Sequence, residues 1–401
     1  MLAEAHRDGT VGELFPFGQI EGTHFARLVV VPEGPDIKGD TMPPAVVYMG
    51  EVDAPPRMRT SPTSSARPVP GWRRCSGTAT ATRLGASPKA QLAWLRAHCV
   101  PSAAYYVNTV GRGLQQIVRE AQLREAIETF LDEHRADFST ADPTHIRAAV
   151  QEYVSGREDL AWARTPSAPP ALRWRLRQAA HAVAVPLAGL VLLPFLVIAV
   201  PVWAVLLRRH ERRDVPSSER PSREHERELA AYEDYVAQNP FTAVGRIKPG
   251  RFRRTTLAVI LFAVDYGVRH VFKRGNLAGV KTIHFARWLF IDGKRRVVFA
   301  SNYDGSLESY MDDFIDKVAW GLNAVFSNGL GYPRTRWLVL DGAKDELAFK
   351  HYLRCHQLPT QVWYSAYDDL TAHNLESNAR IRAGLFGKLD PAETAAWLAL
   401  I

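Results

Sequence analysis

Cysteine is scarce in this chain of 401 residues, which contains only 3. Cys75, Cys99 and Cys355 lie far apart, so they form neither a disulfide framework nor a CxxC metal site. The sequence also lacks a P-loop, a dinucleotide-binding fingerprint and the nucleophile elbow of a Ser-His-Asp hydrolase. These absences favour a reducing, cytoplasmic environment and exclude the enzyme classes that are easiest to recognise from a motif.

Two further absences concern targeting and charge. Residues 1–18 contain no apolar run, so we expect no cleavable signal peptide. The net charge is +8, but no zinc-finger, RRM or helix-turn-helix pattern accompanies it, and we expect no nucleic-acid partner. Much of the basic charge instead lies beside an apolar segment, where it is typical of a membrane flank.

The chain contains two copies of one sequence unit. Residues 23–31 read THFARLVVV and residues 283–291 read IHFARWLFI. Residues 93–108 and 351–366 also align, through a helix, a proline turn and a strand. We expect the copies to pack on each other, because one copy alone cannot bury its apolar face.

An apolar segment separates the copies. Residues 182–207 carry no charged side chain and exceed the roughly 20 residues that span a bilayer as a helix. Trp174 and Trp203 lie where interfacial aromatic residues are favoured. Arginines flank the segment on both sides: Arg173, Arg175 and Arg177 before it, and Arg208, Arg209, Arg212 and Arg213 after it. The pattern predicts a membrane segment with both flanks on the cytoplasmic side.

A single crossing would place the two copies on opposite sides of the membrane. Two solutions are open. Residues 255–272 can return the chain, although two charged residues make them more typical of an amphipathic interfacial helix. Alternatively, prolines break the segment into a re-entrant or shallow hairpin: Pro186, Pro194 and Pro201. We expect a paired membrane element at the cell membrane, with both copies facing the cytoplasm.

The hydrophobic pattern predicts an α+β fold. In the second copy we expect strands at 284–291, 296–301, 336–340 and 361–367, joined in a four-stranded antiparallel sheet, and helices at 307–326, 345–356 and 370–385. In the first copy we expect strands at 24–31 and 45–50 and a trailing helix at 113–131.

Residues 54–84 interrupt the first copy where the second has its long helix. They are rich in Pro, Arg, Ser and Thr, and a disordered insert is one interpretation. Another arises from the genetic code, because a one-base shift lets GC-rich codons for residues 71–82, together with the adjoining bases on either side, encode GLEALFGHCDGYP. Residues 321–333 read GLNAVFSNGLGYP. We hypothesise that residues 54–84 are translated out of frame.

The second copy resembles a largely uncharacterised bacterial family in its motifs IHFARW (283–288), SNYDGS (301–306) and RTRWLVL (334–340). At the level of fold it is similar to the dimeric α/β-barrel superfamily, in which two ferredoxin-like units close a barrel. That superfamily includes haem-dependent peroxidases, chlorite dismutase-like enzymes, small quinone monooxygenases and non-catalytic members, so the resemblance implies a fold and no particular reaction.

The resemblance implies two ferredoxin-like repeats that form a pseudo-dimeric α/β barrel within one chain, with an inserted transmembrane or membrane-embedded helical segment. The resulting organisation is a first repeat at 20–135 with the aberrant stretch 54–84, a helical linker at 136–181, the membrane segment at 182–207, a charged linker at 208–254, an amphipathic or second membrane helix at 255–272, and a second repeat at 280–387.

Four polar side chains form the candidate catalytic site: His284, Arg287, Asn302 and Asp304. On a regular strand His284 and Arg287 point to opposite faces, so a joint role requires a β-bulge. The first copy keeps His24, Arg27 and Asp53 at the matching positions, which predicts a pseudo-symmetric pair of sites.

The sequence specifies no metal site and no definite cofactor. In a haem hypothesis, His284 or His24 is the axial ligand, and Asp304 with an arginine supplies acid-base chemistry. In the alternative, both histidines are structural, buried and hydrogen-bonded at the barrel seam. Residues 304–306 are then a strand-to-helix turn whose Asp or Ser caps the helix.

These patterns favour a membrane-attached oxidoreductase, haem-dependent in one version, that acts on a small apolar or aromatic substrate dissolved in the bilayer. The alternative is a non-catalytic ligand-binding or scaffold protein of the membrane. The expected partners are the lipid bilayer and a small apolar or aromatic ligand, and the oligomeric state is left open.

Resequencing the gene across codons 50–88 tests the frame hypothesis. We expect a one-base change that restores a peptide similar to residues 321–333. An intact frame whose codons cannot encode that peptide would contradict the hypothesis.

Overall fold

The computed structural model describes residues 15–35, 39, 41–53, 87–167, 169–272 and 275–401. Residues 54–84, to which the frame hypothesis applies, lie outside these ranges. Over the described residues the chain is α+β with antiparallel sheets, as predicted.

The element bounds are as follows. The strands are β1 (Thr23–Val31), β2 (Gly34–Pro35), β3 (Thr41–Met42), β4 (Ala45–Val52), β5 (Ser102–Val107), β6 (Gln238–Arg246), β7 (Ile283–Ile291), β8 (Arg296–Asp304), β9 (Thr335–Arg336), β10 (Leu340–Asp341) and β11 (Val362–Ser365). The helices are α1 (Pro88–Ala97), α2 (Leu114–Glu133), α3 (Arg135–Phe138), α4 (Pro143–Gly156), α5 (Leu172–Val191), α6 (Leu193–Glu211), α7 (Arg223–Ala230), α8 (Arg251–His270), α9 (Leu307–Phe326), α10 (Glu346–His356), α11 (Ala372–Ala383) and α12 (Pro391–Leu398).

Local sequence signals determine several of these elements. The β7–β8 hairpin turns through Asp292, Gly293 and Lys294, all at positive φ, as its Asp-Gly pair predicts. Helix α9 begins after Ser306, whose hydroxyl accepts the N–H of Ser309. The predicted helix at 307–326 and its serine cap are therefore confirmed.

Each hairpin of the fold receives a strand from the other half of the chain. The three-stranded sheet has the order β11-β1-β4, and the four-stranded sheet has the order β5-β7-β8-β6. Arg27 of β1 lies opposite Trp363 of β11, and Arg287 of β7 lies opposite Tyr105 of β5. Pairing of the described strands gives separate sheets and no closed barrel.

The four-stranded sheet predicted within the second copy is wrong. Strands β9 and β10 pair only with each other, because Trp337 and Leu338 between them adopt positive φ and turn the chain back. Strand β11 pairs with β1 of the first copy. The pattern of alternating side chains identifies a strand, but it does not identify its partner.

The fourth strand of the larger sheet comes from the segment assigned to a charged linker, 208–254. Strand β6 is buried over most of its length and pairs with β8 from Gln238 to Arg246. It contains Pro240 and a glycine and follows a stretch dense in Arg and Glu, so its composition concealed it.

The two sheets pack face to face. Val29 and Met49 of the smaller sheet contact a cluster formed by Leu289, Val298 and Ala300 of the larger one. Helices α8, α9 and α10 cover the opposite face of the larger sheet. On the outer face of the smaller sheet, apolar side chains are exposed: Val30, Val46 and Tyr48.

The predicted membrane segment is divided between α5 and α6, with Leu192 between them. The break precedes Pro194, which has no N–H to continue the helical hydrogen-bond ladder. Among the described helices, α6 is long and apolar enough to cross a membrane by length and composition.

Both helices return to the same supporting helix. The Ala182 carbonyl of α5 accepts the hydroxyl of Tyr266 at 3.0 Å, and the Trp203 indole of α6 donates to Thr256 at 3.0 Å. Thr256 and Tyr266 lie about 15 Å apart on α8, whereas Ala182 and Trp203 would lie about 31 Å apart on one straight helix. The contacts with α8 therefore require a bend at Leu192; the bent pair of helices α5 and α6 is called the hairpin below, and Leu192 is its tip.

A buried carboxylate fixes the base of this hairpin. Glu211, at the end of α6, is fully buried and accepts the N–H groups of Trp337 at 3.0 Å and Leu338 at 2.7 Å. It also binds Thr335 at 3.2 Å and pairs with Arg208 at 2.6 Å. The successive N–H groups of a left-handed turn form a concave site for an anion, which explains why these two residues adopt positive φ.

The substitution Glu211→Ala is expected to lower the free energy of unfolding by about 3 kcal/mol, because buried backbone donors and Arg208 lose a charged partner. Chemical denaturation measures the change. Glu224→Ala, at an exposed position on α7, is the control and should be near neutral. Equal stability of the two variants would contradict this role for Glu211.

Candidate functional site

Both histidine strands contain the bulge that a joint role requires. The pairing register of β7 with β8 shifts between Ile283 and Phe285, so His284 is the extra residue. The register of β1 with β4 shifts at the matching place, around His24. As a result His284 and Arg287 both lie in the interface between the sheets, where His284 packs against Phe25.

His284, Asp304 and the start of α11 form a connected unit. The Nε2 atom of His284 lies 2.7 Å from Asp304 Oδ1, and both side chains are buried. The other carboxylate oxygen of Asp304 accepts the N–H of Ala372, the first residue of α11, at 2.7 Å. A negative charge at a helix N-terminus is stabilised by the helix dipole and by the free N–H groups there.

The first half of the chain repeats this unit. His24 Nε2 lies 2.9 Å from Asp53 Oδ1, and Asp53 Oδ2 accepts the N–H of Leu114, the first residue of α2, at 2.9 Å. The Nδ1 atom of His24 lies 3.0 Å from the hydroxyl of Tyr367. Burial raises the pKa of Tyr367 well above its usual value, so this phenol stays protonated at neutral pH.

Arg27 links the smaller sheet to the larger one. Its guanidinium donates to the carbonyls of Phe241 and Ser301, both at 2.8 Å, and to the Thr242 hydroxyl at 3.1 Å. It also lies over the ring of Trp363, 5.1 Å from its centroid. Burial lowers the pKa of Arg27 to about 10, and the nearby negative charge of Glu51 opposes that shift only in part.

Arg287 makes the reciprocal link from the larger sheet to the smaller one. It donates to the Gly50 carbonyl at 3.3 Å and pairs with Glu51 at 2.6 Å. Its guanidinium lies over the ring of Tyr105, 4.7 Å from the centroid. Both strand arginines therefore lie over the aromatic residue opposite them and bind a carbonyl of the facing sheet.

Asn302 is separate from these bonded units. Its side chain is fully buried, and neither amide atom has a hydrogen-bond partner among the described residues. The structure thus joins His284 to Asp304 but does not join Arg287 or Asn302 to that pair by a hydrogen bond. The sequence patterns do not single out Glu51 or Tyr367, although the alignment of Glu51 with Asn302, two residues before each aspartate, is a signal for the first.

A small cavity lies between the two histidines. It has a volume of about 20 Å³ and is lined by His24, His284 and Tyr367, together with Arg112 and Phe285. A site of this size accommodates about one water molecule. A haem does not fit, because the space is many times too small and both Nε2 atoms are bonded to carboxylates.

Other sites of chemistry are not evident in the described ranges. No group of three His, Cys, Asp or Glu side chains there is placed to hold a metal ion. A larger cleft of about 410 Å³ lies between α2 and α11, but it contains none of the four candidate residues. Apart from Asn302, the candidate polar side chains of the interface are bonded to backbone or to one another, with little room for a substrate beside the two histidines.

Comparison of the chain with protein-family models, with curated proteins and with solved structures gives no match. The resemblance in the IHFARW and SNYDGS motifs therefore remains a prediction.

The substitution Asp304→Ala is expected to lower the free energy of unfolding by about 3 kcal/mol, because His284 loses its buried partner and α11 loses its N-terminal acceptor. Asp53→Ala is the matched control. Its side chain is 37% exposed, so we expect a smaller loss. An unchanged denaturation midpoint for Asp304→Ala would contradict a structural role and favour chemistry at His284.

Proposed function

We propose that this protein is a membrane-attached scaffold or ligand-binding protein without catalytic activity, anchored in one leaflet by the hairpin of α5 and α6. The observation that carries the proposal is the hairpin tip, where five apolar side chains are at least half exposed: Leu190, Val191, Leu192, Leu193 and Phe195. Soluble proteins rarely expose a contiguous apolar patch of this kind, which is typical of an interaction or membrane site.

The dimensions of the hairpin suit a single leaflet. From Ala182 at its base to Leu192 at its tip, α5 rises about 15 Å, which is half of the roughly 30 Å hydrocarbon core. Because a helical backbone satisfies its own hydrogen bonds, both arms of the hairpin, helices α5 and α6, can enter lipid without exposing backbone N–H and carbonyl groups. Such a hairpin would return the chain to the side from which it entered and would keep the two copies on one side of the membrane.

The arginine-rich flanks support the orientation and location. They lie at the bases of both arms, where basic residues are favoured on the cytoplasmic side of a membrane. We therefore propose the cell membrane as the location, with both halves of the chain facing the cytoplasm.

We further propose that the two halves are ferredoxin-like repeats of a pseudo-dimeric α/β barrel. Three reciprocal features support this relation: the equivalent strand registers, the paired arginine links and the paired His-Asp-helix units. The barrel would be open between its two sheets.

The oxidoreductase hypothesis is less well supported by the same geometry. An apolar or aromatic substrate needs space beside His284 and Asp304, but the cavity there holds about one water. The two polar units instead tie strands to helix N-termini, as expected of structural histidines. We therefore favour the non-catalytic alternative.

The substitution Val191→Asp tests the anchor. Val191 is 78% exposed at the hairpin tip. A charged residue in the hydrocarbon core costs about 3 kcal/mol, or roughly a hundredfold in affinity. We expect the Val191→Asp variant of the full chain to show that loss of affinity for phosphatidylcholine vesicles in a flotation assay.

Leu347→Asp provides the matched control, because Leu347 is 62% exposed on α10, away from the hairpin. It should leave vesicle binding unchanged. Wild-type protein that does not float with vesicles, or equal effects of the two substitutions, would contradict the proposed anchor.

A further inference from the structure

Beside the hairpin, α8 forms an open cleft together with the β7–β8 turn. The cleft has a volume of about 340 Å³. Its lining is Arg254, Thr255, Ala258, Val259, Phe262 and Lys294. Its floor is apolar, and two basic residues lie at its edges.

The two basic residues lack acidic partners. Neither Arg254 nor Lys294 forms an ion pair with any residue that the structure describes, and the buried Nε atom of Arg254 has no hydrogen-bond partner there. The ammonium of Lys294 lies over the ring of Phe290, 5.4 Å from its centroid. Arg254 is partly buried and Lys294 is exposed, so both cations are accessible to an external anion.

The apolar floor continues toward the hairpin. Val259 and Phe262 are 61% and 54% exposed, and they lie on α8 between Thr256 and Tyr266, which hold the two arms. The cleft therefore lies beside the membrane-facing apolar surface. A molecule that has an anionic end and an apolar chain matches this combination of lining groups.

We propose that this cleft binds one anionic phospholipid, with its phosphate at Arg254 and Lys294 and an acyl chain along Ala258, Val259 and Phe262. This inference rests on the proposed membrane attachment and specifies its lipid. A guanidinium binds phosphate oxygens through two parallel N–H bonds, and an ammonium adds a point charge. The apolar floor favours a lipid over a soluble phosphate.

Native mass spectrometry of the full chain in neutral detergent tests the site, with phosphatidylglycerol as the probe. We expect wild-type protein to retain one phosphatidylglycerol and to bind phosphatidylcholine more weakly. The double substitution Arg254→Gln/Lys294→Gln should weaken phosphatidylglycerol binding at least about tenfold, since two charged contacts are lost.

The matched control is Arg173→Gln/Arg175→Gln, which removes the same charge from exposed positions at the base of α5, outside the cleft. It should bind phosphatidylglycerol as wild type does. Equal retention by all three proteins would overturn the proposed site. Displacement of the lipid by an equal concentration of inorganic phosphate would also overturn it, because the ligand would then be a soluble anion.

Vesicle flotation separates this inference from the anchor itself. Arg254→Gln/Lys294→Gln should still float with phosphatidylcholine vesicles through the hairpin. If wild-type protein does not float, the membrane proposal fails. If both proteins float and both retain phosphatidylglycerol, only the lipid site fails.

Discussion

Two arginines, the buried Arg27 and the partly buried Arg287, hold the two sheets of this protein face to face, and the rest of the architecture depends on that contact. Arg27 binds the Ser301 carbonyl across the interface, and Arg287 binds the Gly50 carbonyl in return. Each lies over an aromatic ring of its own sheet. A buried cation without partners is costly, so carbonyl acceptors and ring faces define one position for each guanidinium and hence one alignment of the sheets.

The aligned sheets in turn position the helices. Asp53 and Asp304 end the second strand of each hairpin, and each binds the first N–H of a trailing helix. The histidines fix these carboxylates from the other side. The histidines and aspartates that the sequence suggests as an active site thus connect two strands to the start of a helix. This structural role explains why they lie in the interior although no substrate cavity adjoins them. The hairpin is attached through Glu211 to the turn between β9 and β10 and through Trp203 to Thr256 of α8, and α8 packs on the larger sheet.

Local features of this fold could be predicted from sequence, whereas its long-range pairings could not. The Asp-Gly turn, the serine cap of α9 and the spacing of its apolar residues determine the helix at 307–326 and the hairpin before it. The exchange of β5 and β11 between the halves depends on tertiary packing, which no local pattern encodes. Strand β6 was missed because its composition is atypical of a strand.

The candidate site shows the same division. His24, His284, Asp53 and Asp304 could be recognised by comparing the two copies, but their roles required knowledge of α2 and α11. The bulges at both histidines could not be predicted, since an extra residue shows only in the strand pairing. The exposed outer face of β1 and β4 is where a restored first-copy helix would pack if the frame hypothesis is correct.

Hydrogen exchange of the Arg27→Met variant tests the central claim most directly. If Arg27 joins the sheets, amides of β1 in the smaller sheet and of β6 and β8 in the larger sheet should lose protection together. Helices α5 and α6, which are attached elsewhere, should exchange as in the wild type. Loss of protection confined to β1 and its neighbours β4 and β11 would contradict the account, because the larger sheet would then be independent of the arginine that reaches it.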